Sequence, residues 1–479
     1  MFAATALLTL TTLFGLAVGF AREMLLVASW GATGKTDAFL VAMFLPEAVR
    51  MALTSGLLAS AALPLWLSQP DEAEQRRWAS AQTLHMLFFG IGTALLLSVL
   101  APTFVRMVGP GMAPASHAQA AQALQLLAWT LPGILMQALL SIFHAARQRY
   151  FLSGIGSLVF NLPGVLYLTL FRSESTMHGL SLAFVAGSLL MTLILMPFAW
   201  RSGWRPASAR PAWDSIASLY RSLVPLLASS AASQGLTLVE RIVASQLGEG
   251  AITVLNLARK LINIPMIGLL SLSQVLLSHM SKQSNEQDRT RLLSIALTWA
   301  TLLAAPAAVG LVFGAEPLVA LLLPHQVAHT QVPQLISLFG IGIAFSSWNG
   351  LFARYFYSQA DTRTPLKFEL TGNAVNLAFA LVLPSLYGLA ALPVAATLGV
   401  MVTTLLLARQ TPLADQMGRH AAQIAAGACA TGGLWMIIRH LEATSLWLQL
   451  GIAVVFGLLT LAGLVWWLKP WQHSSPAAG

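Results

Sequence analysis

Apolar residues along this chain gather into blocks of about twenty, separated by short polar or Pro/Gly-rich breaks, the length a helix needs to cross ~30 Å of hydrocarbon. Phe88 to Val105, Leu180 to Trp200 and Leu446 to Leu468 are clear examples. Block by block, the pattern predicts fourteen transmembrane helices near residues 4–30, 38–67, 82–107, 119–144, 152–171, 178–200, 216–247, 251–280, 292–313, 333–357, 366–386, 388–408, 421–439 and 446–468. Several of these segments exceed one straight crossing and carry Gly or Pro inside, which predicts tilt or kinks. The first block lacks the basic flank and small-residue cleavage site of a secretory signal, so the first helix is expected to stay.

Positive charges test that count, because Lys and Arg collect in cytoplasmic loops. With the N-terminus in the cytoplasm, the even-numbered connections and the C-terminus hold sixteen basic residues, from Arg76 and Arg77 to Lys469. The odd-numbered connections hold four: Lys35, Arg106, Arg172 and Arg439. One miscounted helix would scramble this split, so both termini are predicted to be cytoplasmic. Trp466, Trp467 and Trp471 near the C-terminus read as an interfacial aromatic belt.

Composition closes off other classes. The chain is 57% hydrophobic and 9% charged over 479 residues, whereas a soluble domain carries about 25% charged residues. The net charge of +9 follows from the loop bases and does not point to nucleic acid. One cysteine, Cys429, excludes a disulfide framework. The ten histidines show neither HExxH nor Cys/His spacing, so no metal or redox centre is expected. A Walker A string is also missing, which leaves the membrane potential or a monovalent cation gradient as the energy source and no cofactor.

Six bases, Arg22, Arg50, Arg241, Arg259, Lys260 and Arg354, fall inside or at the edges of apolar segments, with Glu23, Asp37, Glu47 and Glu240 as the acids nearby. A charge at mid-bilayer costs about 2.5–3.5 kcal/mol even on lenient scales, so such residues face a watery cavity or a partner. Glu240 and Arg241 also suit a structural ion pair, and Arg354 suits snorkelling to the cytoplasmic surface. Six bases against four acids leave a net positive interior, and guanidinium groups bind phosphate oxygens bidentately. The interior therefore suits a phosphate or pyrophosphate headgroup. Small-residue runs at Thr54 to Ala62 and Ala228 to Gly235 permit close helix contacts or line a groove.

A faint internal echo suggests how the helices group. Phe143-His-Ala-Ala-Arg-Gln-Arg-Tyr-Phe151 ends the fourth span and Phe352-Ala-Arg-Tyr-Phe-Tyr-Ser-Gln-Ala360 ends the tenth. Each precedes a helix bearing Asn, at Asn161 and at Asn373 and Asn376. Six-span spacing predicts two repeated six-helix lobes, residues 1–200 and 214–410, around a central cleft, with two appended helices and a short tail over 420–479.

Three strings carry a family resemblance. They are Gly19-Phe-Ala-Arg-Glu23 with Gly31-Ala, Thr36-Asp-Ala-Phe39, Leu45-Pro46 and Arg50; Glu240-Arg-Ile-Val-Ala-Ser245 with Gly250-Ala-Ile, Leu255-Asn-Leu-Ala-Arg-Lys-Leu261 and Pro265; and Phe356-Tyr-Ser-Gln-Ala-Asp-Thr-Arg-Thr-Pro365. In this order and spacing the chain resembles the MurJ/MviN family of lipid II flippases, within the superfamily of multidrug and polysaccharide exporters. The resemblance implies an all-α, V-shaped fold in a bacterial inner membrane. A central cationic cavity there takes the pyrophosphate of an undecaprenyl-linked sugar and passes it across by alternating access. It implies substrate-binding roles for Arg22, Asp37, Arg50 and Lys260, with Arg259 beside them, and a cation site near Glu240 with Asn373 or Asn376. The partners implied are a lipid-linked oligosaccharide, the bilayer and the enzymes of cell-wall or polysaccharide synthesis, acting with a monomeric transporter.

The chain also departs from the family's pattern. Leu16 replaces a cavity arginine, Ser55 an acid after the second-helix arginine, Arg259 an Asp, and Ser153 and Ser157 two prolines. Two substrates stay open on these residues: lipid II, or another polyprenyl-pyrophosphate oligosaccharide such as an exopolysaccharide repeat unit. A drug exporter would want an acidic cavity. A polymerase or ligase acting on lipid-linked sugars would want a large outer loop, but the longest, around Leu323 to Gln331, is short and lacks a carboxylate pair. A silent scaffold would give the buried charges no role.

Overall fold

The computed structural model describes residues 2–53, 58–147, 151–205, 213–280, 283, 285–422 and 446–468. Among them every regular element is helical. The chain divides into two compact units, Met1–Thr253 and Val254–Gly479.

The first unit contains α1 (Phe2–Trp30), α2 (Gly34–Ala52), α3 (Leu58–Leu67), α4 (Glu72–Val108), α5 (Pro114–Leu127), α6 (Thr130–Ala146), α7 (Phe151–Leu170), α8 (Met177–Arg201) and α9 (Trp213–Ser245), and ends in the first turn of α10 (Ala251–Met280). Local chemistry sets the ends of these helices. Gly31, at φ +70°, stops α1 in a left-handed conformation that costs glycine little. The Asp71 side chain accepts from the Glu74 amide at 2.8 Å to start α4, and Thr176 accepts from the Gly179 amide to start α8. Packing runs α1 on α7, α7 and α6 on α8, α4 on α6, and α2 on α5. Small residues allow these approaches: a Cβ on Gly133 would meet the Ser188 backbone, and one on Gly187 the Phe160 carbonyl.

The fourth predicted span, 119–144, is not one straight helix. It is broken between α5 and α6 by a 41° bend. Pro132 supplies the cause, since its ring excludes the carbonyl of Ala128 from a continuous helix and it has no amide to donate. Among the described residues, four other helices and the Pro384–Arg409 run are long and apolar enough to cross a membrane unaided, and the bent pair makes a sixth.

The second unit holds most of α10, then α11 (Glu286–Leu322), the single turn α12 (His325–Ala328), α13 (Val332–Ser358), α14 (Arg363–Val382), α15 (Pro384–Tyr387), α16 (Ala391–Arg409) and α17 (Leu446–Leu468). Its core is α11 against α13, α14 against α16, α13 against α16, and α17 against α11. The third recognisable string forms the α13–α14 turn. Ala360 takes φ +59°, and Asp361 Oδ1 accepts from the Arg363 and Thr364 amides at 2.9 and 3.0 Å. Those bonds, led by the ones from Thr364, hold the Asp361 carboxyl below the usual carboxylate range. A helical stretch over 414–422 is tied to α11 by Ser294 donating to Gln416 at 2.8 Å and by a Thr301–His420 bond at 3.1 Å. Most of the thirteenth predicted span, Cys429, Ser55 and Trp471 lie outside the described residues, as do the side chains of Leu16 and Ser153.

Candidate functional site

Two arginines and two glutamates form one cluster in the first unit. Arg22 and Glu23 sit two-thirds along α1, and Glu47 and Arg50 are one helical turn apart on α2. Arg22, 2% exposed, pairs directly with Glu23 and reaches Glu47 Oε1 at 3.5 Å. Arg50 reaches the same Glu47 oxygen at 3.8 Å. Glu47 thus bridges the two guanidinium groups and holds them on one side of α2.

The floor of the cluster comes from α7. Ser157, Phe160 and Asn161 stand at i, i+3 and i+4, so they share one helix face. Arg22 Nη1 donates to Asn161 Oδ1 at 3.1 Å, and Asn161 Nδ2 donates to the Ser157 carbonyl at 2.8 Å, which fixes the amide. Arg50 Nη1 donates to Ser157 Oγ at 3.2 Å. Each guanidinium also lies over a ring, Arg50 over Phe160 at 4.9 Å and Arg22 over Phe184 at 5.5 Å. An arginine on an aromatic face keeps its in-plane donors available, the geometry suited to bidentate phosphate recognition. Asn161, Ser157, Phe160 and Phe184 escaped the sequence reading as site residues; the Asn at 161 was visible only as half of the internal echo.

Asp37 stands elsewhere, at the head of α10. Its carboxylate accepts from the Gly250 amide at 2.7 Å, the Thr253 amide at 2.8 Å and the Thr253 hydroxyl at 2.6 Å. It works as a helix cap supplied from 213 residues away, placing negative charge at a helix N-terminus. Gly250, at φ +82°, cannot carry a Cβ, which would run into the Ala32 carbonyl. Thr36 Oγ1 donates to the Gly31 carbonyl at 2.7 Å and shapes the approaching turn. The Gly31 to Phe39 and Gly250 to Ile252 strings, separate in sequence, are two faces of one joint.

Arg241 donates to the Leu40 carbonyl at 2.8 Å and lies over Phe44 at 4.8 Å, and Glu240 beside it is fully buried. Both belong to the first unit. Arg259 and Lys260 on α10, both half-buried, belong to the second, where Arg259 lies over Phe339 of α13 at 5.1 Å. Asn373 and Asn376 of α14 are also in the second unit, with the Asn376 side chain against Gly399 of α16. The five residues expected at one anion site are therefore divided between the units: Arg22, Arg50 and Asp37 in one, Arg259 and Lys260 in the other.

The opposite face of α2 is dry. Phe44, Leu45 and Ala48 line a cavity of about 440 Å³ with Leu135, Tyr220 and Leu238. The charged cluster and this apolar cavity share one helix as a wall, so α2 separates a surface that suits an anion from one that suits hydrocarbon.

The family model described as "Lipid II flippase MurJ" matches residues 26–464. The chain is 26% identical to "Probable lipid II flippase MurJ" of Thermotoga maritima over 387 residues, 79% of each protein. It is 26% identical to "Lipid II flippase MurJ" of Burkholderia cenocepacia over 434 residues, 84% of this chain and 82% of that one. Among solved structures, "Lipid II flippase MurJ, inward closed conformation" superposes with a TM-score of 0.83 at 18% identity, covering 97% of this chain and all of that one. An inward-facing multidrug transporter of the MATE family and MOP superfamily superposes with a TM-score of 0.67 at 12% identity, over 87% of this chain and 95% of that one.

Proposed function

The chain belongs to the lipid II flippase MurJ family, and from that membership we propose that it carries lipid II across the membrane for peptidoglycan synthesis. It is a transporter and not an enzyme. The substrate is lipid-linked and reaches the protein from the bilayer. On this reading the chain lies in the inner membrane with both termini cytoplasmic, which the sixteen-to-four division of loop bases supports, and acts as a monomer.

The observation that carries the mechanism is the braced pair of guanidinium groups. Arg22 and Arg50 are buried together, oriented by Asn161 and Ser157, and paired with carboxylates. A pyrophosphate enters as a further acceptor for the guanidinium N–H groups while Glu23 and Glu47 stay as their partners, since an exchange would leave each carboxylate an unpaired buried charge at a cost of about 3–5 kcal/mol. Asp37 ties α2 to the head of α10 through Gly250 and Thr253. Alternating access moves the held headgroup to the other face while the prenyl chain stays in lipid.

The test is complementation of a bacterial strain depleted of its own lipid II flippase. Growth with normal cell shape is expected from the wild-type chain, and none from Arg50→Ala at equal membrane abundance. Failure of the wild-type chain at good expression points to the other open substrate, a different polyprenyl-pyrophosphate sugar. Full rescue by Arg50→Ala removes that arginine from the mechanism.

A further inference from the structure

The geometry points to a two-histidine chelate for one divalent transition-metal ion, zinc by its shape, on the connection between α11 and α13. This site is independent of the anion cluster. His325 opens the single turn α12 and His329 follows its last residue, so the two rings project from the same side at i and i+4. Their Nε2 atoms are 3.3 Å apart. Two imidazole nitrogens, each ~2.0–2.1 Å from one tetrahedral zinc ion, stand about 3.3–3.4 Å apart. The ring centroids are 4.6 Å apart, so the nitrogen edges lean together more closely than the ring centres. One ring donating an N–H to the other also fits this separation, and coordination through both Nε2 atoms moves that proton to the same ring's Nδ1.

The turn that holds them is firm. Pro324 accepts from the Val327 amide at 2.8 Å, and Val327 accepts from the Thr330 amide at 3.0 Å and the Thr330 hydroxyl at 2.7 Å. Val327 and Val332 are fully buried and pin the loop to the unit while both histidines remain exposed. Ligands held in place before the ion arrives lose little freedom on binding. Both donors are imidazole nitrogens, and no third His, Cys, Asp or Glu gathers with them among the described residues. Water completes the coordination, the ion exchanges readily, and nitrogen donors favour zinc, copper and nickel over magnesium or calcium.

The test uses the full-length chain in detergent without a polyhistidine tag, stripped by chelator and titrated with Zn²⁺ alone. One Zn²⁺ per chain is expected, with a rise in melting temperature as the ion binds the folded state. His325→Ala and His329→Ala should each weaken binding by more than the about 10–100-fold that follows loss of a supporting residue. Both should melt at the wild-type temperature without zinc, because the rings are exposed. Mg²⁺ should produce no shift. Zinc binding that survives unchanged in both variants, or failure of the wild-type chain to bind it, overturns the assignment.

Discussion

The carboxylate of Asp37 accepts two backbone amides and one hydroxyl at the first turn of α10. Hydrogen bonds to a charged group contribute about 1.5–3 kcal/mol each, and removing the acceptor leaves buried N–H groups unpaired. Asp37→Ala should therefore destabilise the purified protein by about 2–3 kcal/mol, and Thr253→Val by about 1 kcal/mol. Because the two side chains share a bond, the double variant should lose less than the sum, a coupling of about 1 kcal/mol readable from melting curves of the four proteins. Sequence reasoning saw that Asp37 stands out in an apolar setting and placed it with the arginines. Its true partner, Thr253, was invisible because a threonine at a helix start is ordinary and the two lie 216 residues apart. Arg22 and Arg50 were legible for the opposite reason: a guanidinium in a transmembrane block is costly wherever it occurs. Their acceptors on α7 were not, since serine and asparagine are cheap to place and carry no such signal.

Helix by helix, the apolar blocks gave most elements, and the errors fall where a helix breaks without losing hydrophobicity. The α5–α6 bend at Ala128 and Trp129 interrupts an apolar run, so a hydropathy reading passes over it, although Pro132 marks the place. Helix contacts were legible only as a tendency of small residues. The α14–α16 contact gives that tendency a location: a Cβ on Gly372 would collide with Thr403 Oγ1 and the Gly399 carbonyl. Gly372→Val should push the helices apart at a cost of about 3 kcal/mol and lower the yield of folded protein. Gly451→Ala in α17 is the matched control, because a Cβ there meets nothing within 4 Å, and its melting temperature should not fall.

For the molecule as a whole, the sixteen-to-four division of loop bases predicts where the ends lie. A fluorescent protein fused after Gly479 should glow, and alkaline phosphatase at the same place should be inactive; the reverse pattern would invert the orientation. The division of the candidate site between the units could not be read from the chain, because charge and spacing say which residues are out of place and not which compact body each joins. The arginine cluster has a consequence at this largest scale. Two bases and two acids, Arg22, Arg50, Glu23 and Glu47, carry no net charge as they stand. When such a carrier resets empty, this part of it does no electrical work. At this cluster, only the stroke that bears an anionic headgroup moves charge through the field, at about 2.3 kcal/mol per charge for each 100 mV. The voltage across the membrane then acts there on cargo alone, and the carboxylates beside the arginines make the cluster's own return journey electrically silent.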